Sequence, residues 1–295
     1  MPGTAPNAVL NGFVNTSAVT NYILERQNDD GGYTFCQWSE SSAQDTYYAL
    51  EVLNALGIIP RRPEMTAEFL QGLQNDNGGF DSVKVAYYVI NALSLLGGFE
   101  SVRLGRDAVE FVRRVAEGIE GESACVEVIS EIEAVYQAVD VLKTLNLPMV
   151  DRKKIVKHVL GFRNDDGSFG RKQDSRIAST HYALMTLKAL NQDLNGLLMT
   201  RDWIKSCEVP DGGFVGAPDL APGYLILEDI YFGVKSLECL GAACSFPNEA
   251  LRRIAWFQNR NGGFRRSELM GISGFESTYQ ALSCMSSLLK NAART

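Results

Sequence analysis

A short phrase of Asn or Asp, glycine and an aromatic residue recurs along this chain and limits what the chain can fold into. It reads Gln-Asn-Asp-Asp-Gly-Gly-Tyr at 27–33 and Gln-Asn-Asp-Asn-Gly-Gly-Phe at 74–80, and it returns in related forms at 164–169, 211–214 and 258–264. The aromatic residues are 47, 89, 45 and 50 positions apart, and 89 is close to twice the other spacings. One copy of the phrase has therefore been lost, and the chain consists of six repeats.

The degenerate copy of the phrase is predicted near residue 124, where Gly118-Ile119-Glu120-Gly121-Glu122-Ser123 lies between two helical patterns. A period of this length means that each unit is one supersecondary element that cannot bury its apolar face alone, so the units must stack. We expect one domain over 1–295, with repeats at about 17–57, 64–97, 106–146, 151–191, 199–241 and 247–290.

Each repeat is predicted to be a pair of helices, because an amphipathic helical pattern precedes the phrase and a more apolar one follows it. The second helices align without gaps on one column of rings: Tyr47, Tyr87, Tyr136, His181, Tyr231 and Tyr279. Six polar-faced and six apolar helices in alternation predict an all-α fold, an α/α barrel (toroid) with inner and outer rings of six helices. The phrase is then the turn from the outer to the inner helix, where glycine permits positive φ and Asn or Asp bonds the turn's own backbone.

Composition narrows the class of protein. The apolar fraction of 45% with 21% charged residues is that of a globular protein, and no run of eighteen apolar residues predicts a transmembrane segment. Since no basic and apolar leader opens the chain, we expect a cytoplasmic protein. The net charge of −7 argues against nucleic acid as a partner. The six cysteines form no CxxC pair, which excludes a zinc-finger spacing.

The mouth of such a barrel is the expected binding region. If all inner helices run in one direction, their N-termini converge there, and their unpaired N–H groups favour an anion such as a diphosphate. The tyrosine column, with Phe232 beside Tyr231, would line an apolar pocket below, which suits a long hydrocarbon with a polar head. The alternative interpretation of the same column is core packing between adjacent helices.

The phrase, its period and its position between paired helices resemble the repeat of protein prenyltransferase β subunits and of squalene/hopene-type terpene cyclases. The resemblance covers about residues 17–290. It implies an α/α barrel that holds an isoprenoid in a central aromatic cavity. For a prenyltransferase-like chain it also implies a helical-repeat α-type subunit as partner.

The metal site of the zinc-dependent members is not expected here. They hold zinc with Asp-x-Cys before one inner helix and a His before a later one. The matching segments are Ile226-Leu227-Glu228 and Ser277, so we predict no zinc site and no metal ligands. No cofactor is predicted, although Mg²⁺ would be compatible with a diphosphate substrate.

Basic residues on two turns are candidate substrate ligands. The family's Gly-Arg-x-x-Lys diphosphate motif survives in part as Gly170-Arg171-Lys172, and Gly263-Phe264-Arg265-Arg266 is a second basic turn. Arg176 precedes the fourth inner helix. A solvated surface is the alternative interpretation of all five cations.

Acidic residues at the inner-helix starts are the candidate catalytic groups. The Asp-x-Asp-Asp motif of class II terpene cyclases, whose middle Asp delivers a proton to an alkene, corresponds to Ile226-Leu227-Glu228-Asp229. This degraded match predicts Glu228 as proton donor beside Asp229. Asp45 and Glu276 occupy similar places in other repeats. The competing interpretation makes Asp45, Ser179, Asp229 and Ser277 N-caps.

Three functions remain open from the sequence. The first is an isoprenoid-handling enzyme that binds a polyprenyl diphosphate in the aromatic cavity and transfers or cyclises it without a standard zinc site. The second is a non-catalytic barrel that binds a lipid or a partner chain. The third is a carbohydrate-active α/α barrel that uses paired carboxylates among Asp45, Glu228, Asp229 and Glu276.

Overall fold

The computed structural model describes residues 10–97, 104–119, 130–149, 151–220, 223 and 225–292. Within these ranges the helices alternate between two sets. The first set comprises α1 (Thr16–Leu24), α3 (Pro63–Gln71), α5 (Arg106–Ala116), α7 (Arg152–Leu160), α9 (Leu198–Ser206) and α11 (Pro247–Trp256). The second set comprises α2 (Ala43–Ala55), α4 (Val83–Leu95), α6 (Glu131–Thr144), α8 (Arg176–Ala189), α10 (Leu227–Cys239) and α12 (Phe275–Ala292). Two short antiparallel strands, β1 (Phe264–Arg265) and β2 (Ser273–Gly274), precede α12.

The second set of helices forms a closed inner ring. Contacts run in chain order from α2 through α4, α6, α8 and α10 to α12, and α12 packs back against α2. Each helix of the first set packs against the inner helix that follows it. The outer ring also closes, because the Asn15 amide donates to Gln258 Oε1 at 3.0 Å. The predicted all-α toroid with inner and outer rings is confirmed.

The repeated phrase forms the turn from an outer to an inner helix and also touches the next repeat. Gly31 has a φ of 89°, and a Cβ there would lie 2.4 Å from the carbonyl carbon of Met65 in α3. Gly212 has the same φ, and its Cβ would lie 2.1 Å from the carbonyl carbon of Glu249 in α11. A side chain is therefore excluded both by the backbone conformation and by the approach of the neighbouring helix.

The polar residues of the phrase bond within their own turn, as predicted. Asp30 Oδ1 accepts from the Gly32 amide at 2.9 Å, and Asn77 Oδ1 accepts from the Gly79 amide at 2.8 Å. The next repeat adds a further bond, since Thr66 Oγ1 in α3 donates to the Gly31 carbonyl at 2.8 Å. These contacts explain why the phrase recurs at one position in each unit.

The interpretation of Asp45, Ser179, Asp229 and Ser277 as N-caps is wrong. The caps of α2, α4, α6 and α8 are serines three or four residues before the aligned column, and each accepts a hydrogen bond from an amide in the first turn: Ser42, Ser82, Ser130 and Ser175. The helices thus begin earlier than the column suggests. Its members lie inside the first turn, where their side chains can serve another purpose.

The third repeat has the same outer and inner helices, α5 and α6, as the others. Gly118 follows α5 with a φ of 67°. The rest of the predicted degenerate copy, from Glu120 onward, lies outside the described residues. Along the parts of the chain that are described, no helix combines the length and apolar character needed to cross a membrane.

Candidate functional site

The N-termini of the inner helices meet at one end of the barrel, and one first-turn position from each helix faces the same cavity there. These six residues are Gln44, Lys84, Glu133, Ala178, Glu228 and Glu276. Two adjoining cavities of about 520 and 560 Å³ open at this end, and both are lined by Ala178, Glu228 and Phe232. We call them together the front chamber. Its size is that of a small-molecule site.

The floor of the front chamber is aromatic. Tyr88, Tyr182 and Phe232 line it, and each lies four residues after one of the six first-turn residues, on the same helix face. Tyr182 and Phe232 are in ring contact at 5.5 Å between centroids. The chamber therefore has a charged rim directly above an apolar, π-rich surface.

Glu276 is a half-buried carboxyl on this rim. Its oxygens accept from Tyr48 Oη at 3.0 Å and from Gln44 Nε2 at 3.1 Å. Burial raises the pKa of this carboxyl, and the negative charge of Glu228 raises it further. The protonated form of Glu276 is thus favoured relative to a carboxyl in water.

Glu133 is the rim carboxyl that the sequence analysis did not single out. Burial raises its pKa to about 7, against the attraction of Lys84, and the charge of Glu276 adds to the rise. Gln137 Nε2 donates to Glu133 Oε1 at 3.2 Å. A carboxyl with such a pKa holds a proton in a large share of molecules at neutral pH. The signal that could have found it is its place in the same aligned column as Glu228 and Glu276.

Glu228, the predicted proton donor, forms a salt bridge with Arg266. Arg266 donates to Glu228 Oε2 from Nε at 2.9 Å and from a terminal nitrogen at 2.6 Å. These two bonds stabilise the ionised carboxylate. Beside it, burial raises the pKa of Asp229 to about 6, and the charge of Glu228 contributes to the rise. Asp229 lines the front chamber.

Asp45 has a different surrounding from the other three predicted catalytic residues. Its Oδ2 accepts from the Phe35 amide at 3.4 Å, in the turn before α2. Burial raises the pKa of Asp45, and this backbone bond opposes the rise. Glu228, Asp229 and Glu276 are brought together at the chamber, whereas Asp45 faces the turn.

The predicted basic ligands divide into two groups. Lys172, Arg176 and Arg266 line the front chamber. Arg171 instead donates to Glu131 at 2.6 Å and lies over the Phe162 ring. Arg265 lies over the Trp256 ring, with 4.0 Å from its guanidinium carbon to the centroid.

Arg176 also has protein partners. It pairs with Asp166, donates to Ser168 Oγ at 2.6 Å and lies over the Trp203 ring. Lys172 lies exposed on the turn before α8 and lines the chamber.

The column of rings packs in the middle of the barrel, below the chamber floor. Tyr47 and Tyr87 are 5.7 Å apart between centroids, and Tyr87 and Tyr136 are 5.9 Å apart. Tyr231 contacts Tyr279 at 6.0 Å. None of the six column residues lines the front chamber, whose floor comes from the neighbouring positions.

His181 occupies the fourth place in the column. Burial lowers its pKa to about 3, and the positive charge of Lys235 lowers it further. Its Nδ1 is 3.4 Å from Ser236 Oγ. The imidazole is therefore neutral at physiological pH and serves as one more ring in the column.

A second cavity of about 600 Å³ lies at the other end of the inner ring; we call it the rear chamber. It is lined by Glu51, Lys235, Glu238, Tyr279 and Ser283, among others. Lys235 Nζ donates to Ser287 Oγ at 2.9 Å and pairs with Glu238. This pairing lowers the pKa of Glu238, although burial opposes it.

The residues at the expected zinc positions do not fit a zinc ion. Ile226 is the N-cap residue of α10, Leu227 is fully buried in the core, and Ser277 is a buried hydroxyl in α12. Neither thiolate nor imidazole is present at these positions, although they are the ligands that zinc prefers. The chemistry of the site is that of carboxyls above an aromatic surface.

A closed double ring of helices with a chamber at the inner N-termini defines a class of all-α toroids. The family model of the prenyltransferase alpha-alpha toroid domain matches residues 8–85, 81–222 and 227–295. The chain belongs to this family.

The drimenyl diphosphate synthase of Streptantibioticus cattleyicolor is 25% identical over 235 residues, which are 72% of this chain but only 44% of that enzyme. The match thus spans less than half the length of this relative.

Solved structures of similar fold include a protein prenyltransferase and a terpene cyclase. Candida albicans protein geranylgeranyltransferase-I, complexed with GGPP, has a TM-score of 0.65 at 17% identity, over 98% of this chain and 90% of that chain. A type II terpene cyclase from Scytonema, in complex with geranylgeranyl dihydroxybenzoate, has a TM-score of 0.64 at 12% identity, over 98% and 99%. These likenesses show the fold alone.

Proposed function

We propose that the front chamber binds an isoprenoid and starts its cyclisation by protonating an alkene. The observation that carries the proposal is the rim of carboxyls, with Glu133 and Glu276 favoured in their protonated form, directly above an aromatic floor. Protonation of an alkene needs a carboxylic acid kept neutral near pH 7. The cation that results needs surroundings without water and with π faces.

Glu133 is the best acid on these grounds. In the proposed step its carboxyl proton passes to one alkene carbon, the π electrons form the new C–H bond, and the adjacent carbon becomes a cation. A second alkene of the same chain attacks this cation and closes a ring. Loss of a proton to a rim carboxylate then restores an alkene and completes the cycle without an oxidant or reductant.

The rings of Tyr88, Tyr182 and Phe232 stabilise the cation through their negative faces. Glu228 acts through its neighbours in this scheme. Its charge, held in place by Arg266, favours the protonated forms of Asp229 and Glu276.

The polar head of the substrate is proposed to lie at the basic edge of the chamber, near Lys172 and Arg266. A diphosphate suits this edge because it would meet both these cations and the N-terminal end of α8. The name of the related drimenyl diphosphate synthase supports a diphosphate-bearing isoprenoid.

Deuterium incorporation tests the proposal. The protein is incubated with farnesyl or geranylgeranyl diphosphate in D₂O, and the products are dephosphorylated, extracted and analysed by mass spectrometry. Proton-initiated cyclisation gives a cyclic product with one deuterium on carbon. Prenyl transfer or simple hydrolysis gives acyclic chains without deuterium on carbon, and either result alone would refute the cyclase proposal.

A non-catalytic isoprenoid-binding or partner-binding barrel is the second candidate. It is favoured by the salt bridge between Arg266 and Glu228, because the residue that aligns with the family's acid is already engaged by a protein cation. Binding of a prenyl diphosphate without any product would support this alternative. If a helical-repeat subunit co-purified with the chain, that result would instead support a role as the β-type subunit of a prenyltransferase.

A further inference from the structure

The front chamber consists of two pockets that differ in their chemistry. The first, which we call the head pocket, has a volume of about 520 Å³ and contains the cations Lys172 and Arg266. The second, which we call the acid pocket, has a volume of about 560 Å³ and contains the carboxyls of Glu133 and Glu276 and the ring of Tyr182. The groups suited to a polar head and the groups suited to protonating an alkene therefore lie in different pockets.

The two pockets join between α8 and α10, which are neighbours in the inner ring. Five residues line both pockets: Asp174, Ser175, Ala178, Glu228 and Phe232. The first three lie at or just before the N-terminal end of α8, and the other two lie in the first two turns of α10. We call the opening between these five residues the doorway. A ligand that occupies both pockets must pass through it.

The polar side chains of the doorway are held by hydrogen bonds. Asp174 Oδ2 accepts from a backbone amide of its own turn at 2.8 Å, and Ser175 Oγ accepts from the Ala178 amide at 3.5 Å. Across the doorway, Arg266 donates to Glu228 Oε2 at 2.6 Å. Because these neighbours are engaged, the size of the side chain at position 178 decides how wide the doorway is.

Ala178 is the short member of the six first-turn residues that face the chamber. The other five inner helices carry long side chains at this position: Gln44, Lys84, Glu133, Glu228 and Glu276. Ala178 is partly exposed and contributes only a methyl group to the lining of both pockets. A side chain of the length found in the other repeats would lie in the doorway.

We propose that Ala178 is a specificity-determining residue that allows one substrate to occupy both pockets. The polar head lies in the head pocket, the chain passes Ala178, and the alkene that receives the proton lies in the acid pocket. This inference rests on the proposed function for its ligand class. A ligand that joins head and chain gains affinity, because binding of one part raises the local concentration of the other part at its own pocket.

Ala178→Leu is the substitution that should close the doorway. Leucine is close to alanine in helix propensity, so α8 should still form. Ala178→Ser adds one atom and is the conservative variant, and Ala178→Met is a second closing variant in case Ala178→Leu does not fold. Ala55→Leu is the matched control, because Ala55 is exposed and lines the rear chamber at the other end of an inner helix.

The test measures binding of a joined ligand and of its two halves. Calorimetric titrations are made with inorganic diphosphate, farnesol and farnesyl diphosphate on the full chain carrying Glu133→Gln, so that the acid step is blocked. This parent should bind farnesyl diphosphate at least about a hundredfold more tightly than either half. Ala178→Leu should weaken farnesyl diphosphate at least about tenfold and change the affinity for each half by less than about threefold. Ala178→Ser and Ala55→Leu should leave all three affinities within about threefold of the parent.

Several results would overturn the proposal. One is a folded closing variant that binds farnesyl diphosphate as the parent does; with a deuterated cyclic product, that result removes the doorway and keeps the proposed function. Loss of diphosphate or farnesol binding in a closing variant also overturns it, because Ala178 would then belong to one pocket only. A parent that binds the joined ligand no more tightly than a half, or binds none of the probes, does the same. Weakening confined to farnesyl diphosphate, without any deuterated product, would refute the cyclase and leave the doorway in place.

Discussion

The two chambers lie at opposite ends of the inner ring, and Glu133 and Glu276 at the front differ from Glu238 at the rear in the direction of their pKa shifts. At the front, burial and neighbouring negative charges raise the pKa of Glu133 and Glu276. At the rear, the Glu238 carboxyl pairs with Lys235 and accepts from Ser287, and its pKa is lowered. The protonated form of Glu133 is therefore favoured, whereas Glu238 belongs to an ion pair with Lys235.

The comparison shows that the pKa of a carboxyl on these helices depends more on its partners than on its position along the helix. On α10 alone, Glu228 pairs with Arg266, while Asp229, the next residue, has a raised pKa. The front chamber concentrates carboxyls in excess of the cations that reach them. Such an excess makes at least one of them retain its proton.

The largest expected effect is a loss of cyclisation activity that occurs on substitution in the front chamber and not in the rear chamber. Glu133→Gln should reduce the rate of cyclisation by roughly 10²–10⁴-fold, because the amide cannot deliver a proton. Initial rates of product formation, measured by mass spectrometry, check this. Glu238→Gln in the rear chamber is the matched control and should change the rate by less than about twofold. Equal losses in both variants would show that the chambers are not functionally distinct.

The second effect is on the free energy of unfolding, to which Glu133 and Glu238 make contributions that change with pH in opposite directions. The Glu133 pKa rises from 4.5 to about 7 on folding. Between these values the folded chain holds a proton that the unfolded chain has released. Its contribution to the free energy of unfolding therefore falls as pH rises through this window, by at most about 3 kcal/mol. Glu238 has a lowered pKa, so its contribution is present above its ordinary pKa and is lost as pH falls below it.

Urea unfolding from pH 4 to pH 8 measures both contributions. Glu133→Gln should gain stability over the unsubstituted chain at pH 8 and lose the advantage near pH 5. Glu238→Gln should show its deficit at pH 8 and approach the unsubstituted chain at pH 4. Parallel curves for all three proteins would contradict the opposite titration of the two ends.

The smallest expected effect is a shift in the pH dependence of the rate when Arg266, which pairs with Glu228, is replaced. Arg266→Gln removes the positive charge that holds the pKa of Asp229 and Glu276 down. The pH at which cyclisation declines should move upward by less than about one unit. The pH dependence of the rate checks this shift. Arg252→Gln, which removes an exposed arginine paired with Glu249 on α11, is the control and should leave the profile in place.

Much of the fold could be predicted because its signals are local and repeated. The glycine phrase needs only the conformation of one turn and the approach of the next helix, and both recur with the period of the chain. The carboxyls of the rim were predicted in part: Glu228, Asp229 and Glu276 do line the chamber, whereas Asp45 faces its turn. Glu133 was missed because its pKa depends on burial and on charges from three other helices.

The sequence by itself determined the six repeats, the glycine turns and the all-α toroid, because periodic patterning and turn chemistry act over neighbouring residues. Only the tertiary structure decided that rings of the tyrosine column contact one another, that Arg266 pairs with Glu228 and that the pKa of Glu133 is raised. These properties arise from distances between residues far apart in the chain. Ring packing and electrostatic coupling follow those distances and leave no local pattern in the sequence.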